Sequence, residues 1–259
     1  AGMKWVNAHP QNPSRNLPSV MAIMIYNDSE TGYPLAIMDA TEITAYRTGA
    51  AAAIASKYLA RQNSCTIGII GAGRQAYTQI LAHAELFSPI SMNVFDISTD
   101  AVDRLIGSFP QFSIRNCPLQ EAAASDIVCT LTPSRSPIVK KEWTTGGTHI
   151  NAVGADAAGK QELDPSILKE AIVIVDDLEQ ASAAGEINVP IQKGIYTIQE
   201  VHGTLAELVM GKKEGRTDDK VITVFDSTGI AIEDIAVAKH LFEKAQQVGN
   251  YPSIDLIGT

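Results

Sequence analysis

The sequence holds no basic block, no close pair of cysteines and no long apolar run. Lys and Arg total 20 against 29 Asp and Glu, a formal net charge of -9, so nothing marks a nucleic-acid-binding surface. An anionic cofactor remains possible, because backbone N–H groups can supply local positive potential. Cys65, Cys117 and Cys129 are odd in number and scattered, and read as small buried hydrophobes in a reducing compartment. No stretch reaches the roughly 20 apolar residues that cross a bilayer. The start, Ala1-Gly2-Met3-Lys4-Trp5-Val6, lacks the basic and apolar regions of a signal peptide, so a soluble cytoplasmic protein with no membrane partner is expected. His9, His83, His149, His202 and His240 show no metal-ligand spacing with the cysteines, and no metal site is expected. Aromatics make up only 6% of 259 residues, but 45% are hydrophobic, enough for one large domain or two modest ones.

Residues 3–39 read as strands and turns. Pro10, Pro13 and Pro18 break a polar loop, and residues 19–26 form a strand-length apolar run. The turn residues 27–32 lead into a second strand at 33–38, a hairpin whose apolar face needs a cover. From residue 41 to 61 an Ala-rich 3.6-residue period predicts a long helix. Thereafter strands are expected at 66–70, 92–95, 126–131, 149–153, 172–175 and 221–225. Helices are expected at 75–87, 101–108, 165–171, 201–210 and 232–248, with a strand-like tail at 251–257. This alternation predicts an α/β fold, a parallel sheet with helices on both faces.

The strongest motif is Gly71-Ala72-Gly73-Arg74-Gln75-Ala76, which follows a predicted strand and opens a predicted helix. In that context G-x-G-x-x-A is a dinucleotide turn and the fold a Rossmann doubly wound sheet. Gly71 permits the tight turn, Gly73 lets backbone approach a pyrophosphate, and Ala76 lets helix pack on strand. Asp96 closes the next strand 23 residues beyond Gly73, where a carboxylate accepts ribose hydroxyls and repels a 2′-phosphate. No Lys or Arg follows in Ile97-Ser98-Thr99, which favours NAD. Thr132-Pro133-Ser134, Val153-Gly154-Ala155-Asp156 and Asp226-Ser227-Thr228-Gly229 follow three further strands and suggest a shared crevice. Ser227 and Thr228 read equally well as helix caps, and Asp176-Asp177 more simply as caps.

Lys4 in an apolar strand and Arg47 in an Ala-rich helix suit capture of a carboxylate. Asp156, in a glycine-flanked loop, suits general acid–base work. Chemistry alone leaves plainer alternatives open: a snorkelling Lys, a solvated Arg, a turn Asp.

Lys4-Trp5-Val6-Asn7, His9-Pro10, Thr31–Leu35, Arg47-Thr48-Gly49-Ala50-Ala51, Lys57–Arg61, Gly71–Ala76, Val153–Asp156, Gly159-Lys160-Gln161-Glu162-Leu163 and Asp226–Gly229 occur in that order. The series resembles the ornithine cyclodeaminase/mu-crystallin family over nearly the whole chain; within it, Trp5, Leu17–Ala22, Met38–Thr41 and Phe225–Ala231 look most like the archaeal-type alanine dehydrogenase branch. The resemblance implies oxidative deamination of a small L-amino acid with NAD, with ornithine cyclodeamination and imine reduction as alternatives. It implies that Lys4 and Arg47 hold the substrate carboxylate and that Asp156 moves the proton or activates water. Thr48 would contact the cofactor phosphates, and Gly71, Gly73, Gln75 and Asp96 would form the dinucleotide site. It also implies a homodimer formed through the N-terminal strands. A substrate and dimerisation domain is expected at 1–62, joined by 250–259, and an NAD-binding domain at 63–249. Family members carry a substantial segment ahead of the position matching Lys4, so a fragment, or a protein with a partial substrate site, is expected.

Overall fold

The computed structural model describes residues 1–9, 11–89, 91–249 and 251–255. Strands β1 Gly2–Ala8, β2 Val20–Asn27 and β3 Pro34–Asp39 form an antiparallel sheet in that order, followed by helix α1 Thr41–Leu59. The chain continues through β4 Thr66–Ile70, α2 Arg74–Leu86, β5 Ser91–Phe95, α3 Thr99–Ser108, β6 Ile114–Asn116, α4 Leu119–Ala123, β7 Ile127–Thr130 and β8 His149–Ala152. It ends with α5 Pro165–Glu170, β9 Ile172–Val175, α6 Leu178–Ala184, α7 Asn188–Gln192, β10 Gly203–Thr204, α8 Leu205–Val209, β11 Thr223–Asp226 and α9 Ala231–Val248.

The second sheet has eight parallel strands in the order β10-β9-β11-β8-β7-β4-β5-β6. Its strands are buried on both faces and largely apolar, with His149, Asn151 and Thr223 among the buried polar exceptions. Ile67, Ile69, Ile127 and Cys129 pack against α2 and α3, and Ile174 and Phe225 against α1 and α8. Their neighbours Ile70, Val128, Val173, Val175 and Val224 turn the other way and join Ala122, Ala123, Ile167 and Ala181. At Gly68 a side chain has no room: its Cβ would lie 2.0 Å from Ala122 O. The expected Rossmann sheet is therefore present. From β4 the chain runs outward to β5 and β6, then returns past β4 to β7. The order reverses between β4 and β7, where open parallel sheets bind ligands beyond the strands' carboxyl ends.

Compact units divide at different places from those expected. The first is Ala1–Arg47 with the chain from Ile230, and the second is Thr48–Gly229. Helix α9, expected in the dinucleotide domain, instead buries Ala238 among Ala22, Met24 and Tyr26 of β2, with Phe242 packed 5.6 Å from the Tyr26 ring. The opposite face of the small sheet leaves Met3, Trp5, Ile23 and Ile37 between 56% and 68% exposed.

Other expectations shift as well. The helix expected at 201–210 starts at Leu205, because Gly203 and Thr204 pair with Ile174 and Val175 at the sheet edge. Residues 251–255 of the expected tail strand form none, and 256–257 lie outside the described residues, as does Pro10. Cys65 is half-buried rather than buried, while Cys117 and Cys129 are buried, and all three are free.

Candidate functional site

The glycine turn sits at the switch point. Gly71 takes φ +105°, a left-handed conformation only glycine adopts freely, and donates to Phe95 O at 2.8 Å. Helix α2 is N-capped by Gly73 in extended backbone without a side-chain cap, and no atom lies within 4 Å of where a Gly73 Cβ would be. That open, positive helix end fits a pyrophosphate. Ala72 and Ala76 are buried, whereas Arg74 is exposed and Gln75 half-buried. Thr48 is 5% exposed, and its neighbour Gly49 lies so close to α2 that a Cβ would meet Thr78 O at 2.6 Å.

Asp96 does a task the sequence did not show. One oxygen accepts Ala72 N–H at 2.7 Å and the other Ser98 N–H at 2.8 Å, so the carboxylate ties β5 to the glycine turn. Each oxygen keeps a second lone pair, which fits a ribose hydroxyl.

Beyond β7 and β8 the backbone is organised by Glu162, which is fully buried. Its carboxylate accepts Thr132 N–H at 2.7 Å, Thr132 Oγ1–H at 2.6 Å and Gly154 N–H at 3.0 Å. Its carbonyl accepts the N–H groups of Ile138 and Val139. A Cβ on Gly154 would stand 2.2 Å from Thr132 O, so these two segments cross at van der Waals limits. Val153 donates to Thr130 O, Ser134 accepts Gln161 N–H, and Pro133 is exposed. Glu162 N–H donates to the Glu186 carboxylate, whose own N–H donates to Asp226 Oδ1 at 2.9 Å. Three buried acids thus tie the loops after β7 and β8, through Glu162, to the turn that follows α6 and to the end of β11. Ser227 is not a helix cap: it is 3% exposed and donates its N–H to Ala152 O. Asp177 caps α6 through Gln180 N–H, whereas Asp176 accepts from Thr228 N–H and Oγ1–H and from Gly229 N–H.

Burial pushes Asp226 up to about 7, raises Glu162, and with the Glu162 charge raises Glu186 well above the usual carboxylate range. A carboxyl raised on folding binds its proton more tightly in the folded state, so its contribution is full below its unfolded pKa and declines as pH rises. Thermal midpoints should therefore fall between pH 6 and 7, the upper part of the window that closes near the Asp226 value, this group contributing a slope of up to about 1.4 kcal/mol per pH unit. Scanning calorimetry reads this directly, and Asp226→Asn should flatten the slope. A midpoint flat or rising over that range would exclude the effect.

Histidines act on the acid side. His83 Nδ1 faces Gln79 O, which only accepts, so that nitrogen carries the hydrogen. Asn151 donates to Ser56 Oγ at 2.9 Å and accepts from His149 Nε2 at 3.1 Å, and His149 Nδ1 lies 2.9 Å from Thr223 Oγ1. Both rings are neutral, and burial holds them down to about 4 and about 3. Ser56 and His83, 2.9 Å apart and fully buried, are structural and not a nucleophile pair. Among the described residues no group of three His, Cys, Asp or Glu side chains suits a metal ion.

The reacting candidates fall into two groups, one in each unit. In the second unit Asp156 is 59% exposed and ion-paired with Lys160. Its loop is clamped from below by buried Asn188, which accepts Gly159 N–H at 3.0 Å and donates to Lys160 O at 3.1 Å. In the first unit Lys4 and Arg47, the two cations the sequence marked for one carboxylate, both reach Asp234. Nothing in the sequence hinted that Glu233 and Asp234 of α9 join them. Arg47 Nη1 lies 3.1 Å from Glu233, and Lys4 Nζ 2.8 Å from Asp234.

The chain is similar to several known proteins. An alanine dehydrogenase of Archaeoglobus fulgidus is 52% identical over 247 residues, 95% of this chain and 77% of that protein. A solved structure of an archaeal alanine dehydrogenase dimer with bound NAD superposes with a TM-score of 0.97 at 50% identity, over 99% of this chain and 81% of the other. The Thermococcus litoralis Δ1-pyrroline-2-carboxylate reductase in complex with NADH and L-proline follows at a TM-score of 0.94 and 39% identity, over 98% and 80% of the two chains. No helix among the described residues is long and apolar enough to cross a membrane. The model of the ornithine cyclodeaminase/mu-crystallin family matches residues 1–249, and the chain belongs to that family.

Proposed function

We propose that this protein is an NAD-dependent amino-acid dehydrogenase that oxidatively deaminates L-alanine to pyruvate and ammonia, reversibly. The observation that carries this reading is the second unit's carboxyl edge, where a dinucleotide turn and the exposed Asp156 follow strands of one parallel sheet. The 52% identity to an alanine dehydrogenase supports alanine over the other substrates of the family. NAD, when bound, takes the hydride from the substrate's α carbon. The Gly71–Ala76 turn and the α2 N-terminus would hold its pyrophosphate, Thr48 would contact phosphate, and Asp96 would bind the adenosine ribose. Thr132, Pro133, Ser134, Val153, Gly154 and Ser227 line the cofactor crevice. Lys4 and Arg47 take the substrate carboxylate, Arg47 through its planar fork. The Asp156 carboxylate accepts a proton from the water that attacks the imine, and returns one to the departing ammonia.

The test is NADH formation with L-alanine, with parallel samples given L-ornithine or Δ1-pyrroline-2-carboxylate. NADH and pyruvate appearing together establish the dehydrogenase. Proline and ammonia from ornithine without net NADH would replace it with the cyclodeaminase, and NADH consumption by the cyclic imine with the reductase. Asp96→Ala should weaken NAD roughly 10-fold or more and narrow the gap to NADP, read by fluorescence titration. Unchanged selectivity would remove Asp96 from the ribose site.

We also propose a homodimer. The exposed Met3, Trp5, Ile23 and Ile37 form an apolar sheet face of the kind a partner covers, and the similar archaeal structure is a dimer. Light scattering on the purified protein decides it.

A further inference from the structure

The first turn of α9 carries two carboxylates with unequal surroundings. Asp234 has a side chain only 4% exposed, against 18% for Glu233. Asp234 Oδ1 and Oδ2 both lie 2.8 Å from Lys4 Nζ, and Oδ1 is 3.3 Å from Arg47 Nε. Lys4 also donates to Thr44 Oγ1 at 3.2 Å, an oxygen whose hydrogen is directed to Ala40 O. One acid therefore bridges two cations that arrive on separate elements, β1 and α1.

Two like charges in a half-buried place repel each other, and burial disfavours both. A buried ion pair adds little net stability compared with well-packed apolar residues. The cluster is therefore better accounted for by what its cations do than by what it adds to the fold. Glu233, the more exposed of the two acids, pairs with Arg47 at 3.1 Å.

We infer that Asp234 is a positioning residue, which holds Lys4 and Arg47 side by side and keeps the Lys4 ammonium charged for a substrate carboxylate. This rests on the role proposed for Lys4 and Arg47. The charged groups facing Lys4 are Asp234 and Glu233 from α9 and Arg47 from α1. Burial lowers the Lys4 pKa, and the Arg47 charge adds to that. The Asp234 hydrogen bond and the two carboxylate charges oppose it.

The experiment compares Asp234→Asn and Asp234→Glu with the unmodified protein in two ways. Steady-state kinetics with L-alanine run from pH 6 to 10, with NAD affinity measured alongside. Competitive acetylation read by mass spectrometry reports the ionisation of Lys4 over the same range, whether or not the protein turns over. Asp234→Asn should raise KM for alanine roughly 10-fold or more at pH 8 with NAD affinity unchanged. The alkaline limb of kcat/KM, and the pH at which Lys4 becomes reactive, should both move down by about one to three units. Asp234→Glu should restore the limb while leaving KM raised, and it carries the test if the Asn variant does not fold. A lower melting temperature with KM, limb and Lys4 reactivity all unchanged would reduce Asp234 to a structural residue and overturn the inference. If Lys4 reactivity shifts but Lys4→Met leaves KM unchanged, it is the substrate role of Lys4 that fails.

Discussion

Asp156→Asn should lower kcat by about 10²- to 10⁴-fold while NAD still binds, the range lost when a positioned general acid–base group is removed. Asn keeps the shape of the side chain and its hydrogen-bonding reach, but it cannot take and return a proton at neutral pH. The side chain is 59% exposed, so the fold should tolerate the change within about 0.5 kcal/mol. Stopped-flow measurement separates the outcomes, because binding of NAD and of substrate can be read without turnover. Wild-type kcat in the variant would leave solvent water without protein assistance and remove Asp156 from the chemistry. A loss confined to KM would make it a binding group instead.

Glu162→Ala should produce the largest loss of stability. The substitution leaves Thr132 N–H and Thr132 Oγ1–H without their acceptor, each at a cost of about 1–3 kcal/mol, and leaves Gly154 N–H with Thr130 O alone. It also opens a cavity beneath two crossing backbone segments. A combined loss of about 3–5 kcal/mol corresponds to roughly 10 °C in melting temperature for a domain of this size. NAD affinity should fall as well, since the two released segments follow β7 and β8 at the cofactor crevice. Glu162→Gln should fall between, because one amide oxygen still accepts while the amide nitrogen opposes the remaining N–H. A melting temperature within 2 °C of wild type would mean that the loops are held by other contacts, by the estimate of about 2–4 °C per kcal/mol.

Much of the fold is legible because its signals are local. Thr66–Ile70 followed by Gly71 and Gly73 states strand, turn and helix within a dozen residues, and the structure places each there. The three-residue β6 and five-residue α4 escape notice because elements so short carry no periodicity. Apolar spacing makes residues 201–210 look helical throughout, but pairing with β9 claims the first part. The acids that organise the site are hidden for a related reason. Glu162, Glu186 and Asp226 act on backbone groups 8 to 40 residues away in sequence, and no local pattern records such reach. Asp234 is hidden differently: an acid in the first turn of a helix is so ordinary that its partners on β1 and α1 leave no trace. Helix α9 follows β11 as a Rossmann helix would, and its pattern tells that it covers a sheet without telling which.

The placement of α9 has a bearing on biogenesis. A chain made from amino to carboxyl end releases β1, β2 and β3 early, with Met24 and Tyr26 facing a helix that does not yet exist. The contiguous unit 48–229 can finish before the residues from Ile230 emerge, so the smaller sheet is early in synthesis and late in assembly. Completion of that middle unit replaces a long flexible loop by a folded body, which lowers the entropy lost when Asp234 finds Lys4. During that interval the apolar strands need shelter, and chaperone capture or co-translational aggregation would act at residues 20–39 before anywhere else.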